Sequence, residues 1–259
     1  MVKQTRPHVV FNVAAFTDVD GAEEREEEAL LVNGLGVRHL ALACLEEGEI
    51  PLVHLSTDYV FEGEKGSPYG IYDLPRPLNA YGRTKLWGEK ALQALSRHYY
   101  LVRTSWLFGP GGGHFVGRIL EAARQNLAAA PPGKPPAPLR VVDDQYGSPT
   151  YTRDLARALA DLVETGCWGT YHVTNTGVTT WYGLASRALE LAGIPVPVLP
   201  VASSEFPLPA QRPRCSALDP FPLRETLGYL LPPWTEALER YLKEEGQRTP
   251  ATPSPGRRL

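Results

Sequence analysis

The sequence predicts a layered α/β protein, a parallel sheet flanked by helices and followed by a smaller second lobe. Three observations carry that prediction. Short runs rich in β-branched residues alternate with amphipathic helical stretches through the first half of the chain. Strands separated by helices in this way pair in parallel through right-handed crossovers. Proline then breaks the alternation after about residue 128, so the second half of the chain needs a different organisation. The 259 residues, 43% hydrophobic and 21% charged, suffice for a large core with an appended lobe.

In chain order, His8–Ala15 (HVVFNVAA) reads as a buried strand, and residues 24–48 as a long amphipathic helix. Pro51–Thr57 (PLVHLST) is a second strand, and Asn79 to about Leu95 a second helix. Tyr99–Gly109 (YYLVRTSWLFG) is a third strand, and Phe115 to about Ala128 a third helix. Ala128–Pro138 is an exposed loop of polyproline character. A helix over about Arg153–Glu164, a strand at GTYHVTN and a helix over about Trp181–Leu191 come next. PPWTEALERYLKEEG closes the pattern as a helix with proline at its start. Residues 1–142 are expected to form the sheet-bearing part. Residues 143–243 mainly form the second lobe with elements returning to the core, and 244–259 a disordered tail.

A formal net charge of -3 argues against a nucleic-acid or membrane-surface footprint. Cys44, Cys167 and Cys215 are odd in number and irregularly spaced, which fits neither a disulfide framework nor a zinc site. No apolar run approaches the roughly 18 residues of a membrane span, and the start MVKQTRPHVVFNVAAF has no signal-peptide pattern. A cytoplasmic protein is expected.

The chemistry concentrates in two stretches. In LNAYGRTKLWGEKAL, Tyr81 and Lys85 stand four residues apart on one helix face. A phenol with pKa near 10 is a poor acid at neutral pH, and a nearby ammonium brings it into working range. Alone, that spacing is common. In HLSTDYVF, however, Ser56, Thr57 and Asp58 stand at the C-terminal end of a strand, the edge where open α/β sheets hold ligands. A hydroxyl, a phenol and an ammonium therefore converge on one place. Asp143 and Asp144 are adjacent on an extended segment, so their side chains diverge and read as structural, with no metal site expected.

Six blocks extend this reading: STDYVFEG, PLNAYGRTKLWGEKAL, VRTSWLFGPGG, VVDDQYGSPTYTRDLARAL, GTYHVTNTGVTTWYGLA and RPRCSALD. In order and context they resemble the dTDP-4-dehydrorhamnose reductases, extended short-chain dehydrogenases acting on nucleotide sugars, from about Arg6 to Tyr241. The resemblance implies a Rossmann-like sheet with a substrate-binding lobe, NADPH or NADH as cofactor, and a dTDP-sugar substrate. A homodimer is compatible with it. It implies a catalytic set of Thr57, Tyr81 and Lys85. Tyr81 protonates the developing alkoxide at C4, Thr57 donates to the same oxygen, and Lys85 tunes the tyrosine and binds the nicotinamide ribose. It also implies cofactor contacts from Asn12, Ala14, Ala15, Thr17 and Ser56, and substrate contacts from Asp58, Tyr59, Trp106 and Arg212, the last as a diphosphate clamp.

Members of that family begin with a strand, a G-x-x-G-x-x-G turn and a helix that hold the pyrophosphate. This chain aligns from the strand after them, so the sheet is expected to be N-terminally truncated by roughly 45–50 residues, more than one βα unit. A coding start set downstream and a genuinely short, inactive chain are both open. So are two other functions. A 4,6-dehydratase or epimerase shares the scaffold, although the dehydratases carry Asp-Glu after the threonine where this chain has Asp58-Tyr59. A non-catalytic regulatory subunit, such as the relative that serves methionine adenosyltransferase, is the other.

Overall fold

The computed structural model describes residues 2–111 and 113–247. Its strands in chain order are β1 (Val10–Asn12), β2 (Leu52–Thr57), β3 (Tyr99–Thr104), β4 (Leu107–Phe108), β5 (Leu139–Val142), β6 (Tyr146–Gly147), β7 (Thr150–Tyr151), β8 (Gly169–His172), β9 (Thr179–Thr180) and β10 (Val198–Val201). The helices are α1 (Val2–Thr5), α2 (Gly21–Glu24), α3 (Glu26–Leu30), α4 (Gly36–Glu46), α5 (Ala80–Leu95), α6 (Phe115–Ala128), α7 (Thr152–Glu164), α8 (Trp181–Leu191), α9 (Leu223–Leu227) and α10 (Trp234–Gln247).

The main sheet is parallel throughout, in the order β1-β2-β3-β8. Alternation along each strand supplies both faces. Leu52 and Leu101 pack against Val37, Ala41 and Leu92 of α4 and α5. Val53, Tyr100 and Val102 pack against Leu155, Leu159 and Leu162 of α7. Covering both faces is what a parallel sheet requires, and it yields the α/β Rossmann-like fold expected from the sequence. The second lobe gathers around Phe108, Leu120, Tyr151, Leu184 and Leu238. Its short pairs are β4 with β7, β6 with β9 and β5 with β10. Strand β5 precedes the expected boundary at 142, yet it pairs with β10.

Several expectations need correction. The first strand is shorter than His8–Ala15, because β1 pairs with β2 over Val10–Asn12 and the chain then turns outward. The expected third strand breaks at Trp106, whose φ of 48° is left-handed. There the chain leaves the main sheet, and β4 joins the second lobe. The first long helix is interrupted by a π-helical turn, Leu31–Leu35. The helical stretch Glu26–Glu46 is long and apolar enough, by composition, to cross a membrane, contrary to the expectation that no segment would be. Its Val37, Ala41 and Cys44 are buried against the sheet. Helix α10 continues to Gln247, past the expected boundary at 243. The expected disordered tail beyond it lies outside the described residues.

Candidate active site

The site forms where β2 and β3 end and α5 begins. Thr57 closes β2 and caps the turn Asp58–Val60, its hydroxyl accepting the Tyr59 amide at 3.2 Å. Asn79 caps α5, accepting the Gly82 amide at 2.8 Å, while its own amide donates to the Gln211 carbonyl at 2.8 Å. This fixes the first turn of α5 over the end of β2, and Tyr81 and Thr57 stand side by side at one cavity, where the Thr57 hydroxyl acts on the Tyr81 phenol. Tyr59 meets Tyr81 edge-on, ring centres 6.2 Å apart. A cavity of about 460 Å³ opens here, lined by Thr17, Thr57, Tyr59, Tyr81, Trp106 and Trp181 among others. It adjoins a cleft of about 720 Å³ that shares Tyr59, Phe115, Arg118 and Trp181 and adds Arg140, Phe206, Arg212 and Arg214.

Burial sets the electrostatics. The Tyr81 phenol is pushed up to about 12 by burial, against the lowering effect of its bond to Thr57. Burial likewise raises Asp58 to about 7, opposed by hydrogen bonds from Ser216 and Thr57. Lys85 falls to about 8 for the same reason, with Glu89 acting against the shift. Burial, the Thr57 hydroxyl and the Asp58 charge are what move the Tyr81 phenol. The Lys85 ammonium turns to the Leu55 carbonyl at 2.6 Å, and the phenol is held in its protonated form.

The other expected site residues divide. Thr17 faces the cavity, and Ala14 and Ala15 lie beyond the end of β1, exposed and half-buried, so they are not strand core. Asn12 is buried and donates to His54 Nδ1 at 3.1 Å. Ser56 lies at the cavity, but its hydroxyl is committed to Glu89 at 2.5 Å. Asp58, expected beside the sugar, is buried with both oxygens engaged, one by Thr57 at 3.1 Å and one by Ser216 at 2.5 Å. Trp106 stacks on Trp181 with ring centres 3.5 Å apart and planes within 7°. A Cβ on Gly147 would lie 2.4 Å from the Trp106 ring, so only glycine fits beneath it. Arg212 is spent on Asp20, through bonds of 2.5 and 2.6 Å, and also donates to the Ala210 carbonyl. As a free diphosphate clamp it is already occupied.

Asn33 was not anticipated. Fully buried in the π-helical turn, it binds both the amide and the carbonyl of Phe16, at 2.9 and 3.1 Å, and donates to Thr84 at 3.1 Å. It thereby ties the loop after β1 to the helix that carries Tyr81 and Lys85. An Asn in an apolar helical run was the available signal. Ser216 and the exposed Arg118 and Arg214 also went unmarked. Among the described residues those two arginines form no ion pair. Asp143 accepts from Thr180 at 2.5 Å and Asp144 from Ser203 at 3.0 Å, and all three cysteines are free.

Comparison with known proteins gives a consistent result. The family described as "RmlD substrate binding domain" matches residues 1–247. A dTDP-4-dehydrorhamnose reductase of Streptomyces griseus is 45% identical, over 84% of this chain and 70% of that protein. A solved dTDP-4-dehydrorhamnose reductase of Clostridium acetobutylicum superposes with a TM-score of 0.89 at 38% identity, covering 95% of this chain and 84% of the other. The same enzyme of Bacillus anthracis, solved in complex with NADP, gives 0.88 at 38% identity, covering 94% and 83%.

Proposed function

The chain belongs to the family of the dTDP-4-dehydrorhamnose reductases, and on that premise we propose that it reduces the C4 keto group of dTDP-4-dehydro-6-deoxy-L-mannose to give dTDP-L-rhamnose. The observation that carries the reading is the Thr57–Tyr81 contact at a cavity that opens into an arginine-bearing cleft. The cavity takes the deoxysugar and the cleft takes the nucleotide. Arg118 and Arg214, free of carboxylate partners among the described residues, suit the diphosphate better than Arg212.

The residues fit the nicotinamide end of a cofactor. Lys85 has three N–H donors and gives one to Leu55, which leaves two for ribose hydroxyls. Residues 2–9, ahead of β1, contain no glycine. NADPH or NADH supplies the hydride when bound. The chain's own part is to receive the negative charge that develops on the C4 oxygen. Tyr81, held neutral, transfers its proton to that oxygen, and Thr57 donates a hydrogen bond beside it. The same reading has the enzyme working in the cytoplasm on a small-molecule substrate, with no nucleic-acid or membrane partner, alone or as a homodimer.

The test follows NADPH oxidation by the 259-residue chain in the presence of the keto sugar nucleotide, in parent and Tyr81→Phe proteins. The parent is expected to turn over, and the variant to lose roughly 10²–10⁴-fold in kcat with KM nearly unchanged. Absence of turnover in the parent, or equal rates in both, counts against the reading.

A further inference from the structure

Thr57 has one hydroxyl hydrogen and more neighbours than it can serve. Its oxygen already accepts the Tyr59 amide, and Tyr81 and Asp58 Oδ1 both stand within hydrogen-bond reach. Asp58 in turn is held from its other oxygen by the Ser216 hydroxyl at 2.5 Å. Thr57, Asp58 and Ser216 are all buried, with Thr57 and Asp58 in the wall of the cavity. An ionised Asp58 is acceptor-only and takes the Thr57 hydrogen for itself. A protonated Asp58 can donate to Thr57 instead, leaving the Thr57 hydrogen free to point into the cavity.

We infer that Asp58, clamped by Ser216, is a positioning residue that decides which way the Thr57 hydroxyl points, so that Thr57 can donate to the sugar oxygen only while Asp58 carries its proton. The inference rests on the reductase reading above. Asp58 keeps its proton throughout, and no bond to the substrate is required of it. With the carboxyl held near 7 by burial, the switch falls within the range of ordinary assay.

The surroundings contain few competing charges. Tyr59 lies in the same turn and Tyr81 on α5, both phenols raised by burial and neutral in this range. Arg212, on the loop that reaches Tyr59, is paired with Asp20. Lys85 faces Leu55, while Arg103 and His172 pack on the Phe61 ring. Lys85, which loses its proton near 8, bounds the upper end of the profile in every variant.

Two measurements on the full chain decide the matter. The first is a carbon NMR titration of protein labelled at the aspartate carboxyl carbon, without substrate, with Asp58→Asn assigning the signal. Ser216 donates to the carboxylate, so Ser216→Ala should raise the midpoint by about one pH unit, and Ser216→Thr, which keeps the hydroxyl, should restore it. The second is the pH profile of kcat/KM. The parent should lose activity as pH rises through about 7. Ser216→Ala should carry that limb upward by about the same unit, and Asp58→Asn should abolish it while leaving the limb due to Lys85. An unmoved midpoint in Ser216→Ala, or a limb that stays put while the midpoint moves, overturns the inference. If the parent is inactive at every pH the reductase reading fails, and the NMR titration still reports whether the clamp exists.

Discussion

Burial moves three titratable side chains at the strand ends toward their neutral forms, and each shift has a thermodynamic sign. Asp58 titrates at about 7 in the folded chain against an ordinary 3.8. Between those values the folded protein holds a proton that the unfolded chain has released, so stability falls as pH rises through that window. The span corresponds to on the order of 4 kcal/mol. Asp58→Asn removes the effect. Urea unfolding at about pH 5 and about pH 8 should therefore show a much smaller loss in the variant than in the parent. Equal losses would mean that Asp58 is not buried as described. Lys85 acts in the opposite direction. Its lowered value makes the folded state the poorer proton binder between about 8 and 10.5, so its burial costs least at high pH. Thr57, Tyr81 and Lys85 were legible because a strand end and a helical spacing are local patterns. Ser216 on Asp58 and Arg212 on Asp20 join positions 158 and 192 residues apart, and no local pattern announces them.

Helix α5 must approach its neighbours closely to bring Tyr81 to the end of β2. A Cβ on Gly88 would fall 2.2 Å from the Asn33 carbonyl. That oxygen belongs to the π-helical turn whose Asn33 side chain holds Phe16 and Thr84. Backbone cannot yield as a flexible side chain can, so Gly88→Ala should cost about 1–3 kcal/mol in chemical unfolding. A midpoint unchanged from the parent would show that the two elements stand further apart. Periodicity found this first long helix but not its π turn, because one inserted residue leaves the apolar pattern almost intact. It likewise joined β3 to β4, since the break at Trp106 coincides with a left-handed backbone and a stacked ring rather than with glycine or proline.

Across the whole molecule, a buried polar chain crosses the sheet. Ser56 donates to Glu89, and Glu89 is bound by Arg103 at 3.0 and 2.7 Å. Arg103 reaches His172 on β8, whose ring bonds the Asp219 carbonyl. His172 stays neutral, pushed down to about 3 by burial and by Arg103. Both members of the Glu89–Arg103 pair are nearly inaccessible, so removing one strands the other. Glu89→Ala should cost about 3–5 kcal/mol, and replacing both with methionine should recover much of it, as thermal unfolding will show. If the double variant is no better than the single one, the pair contributes more than mutual neutralisation. The alternating strands and helices made the parallel sheet readable, but its lateral order and the second lobe's short pairs depend on contacts that periodicity does not encode.

The Trp106–Trp181 stack has an optical consequence. One indole follows β3 and the other opens α8, and both rings pack against the core around Phe108, Leu184 and Leu238 while lining the cavity, so their stacking reports on the order of that wall. Two indoles in face-to-face contact absorb and emit differently from two that are apart. The chain therefore carries an unlabelled gauge at the wall of the cavity, readable in the ultraviolet as a ligand enters.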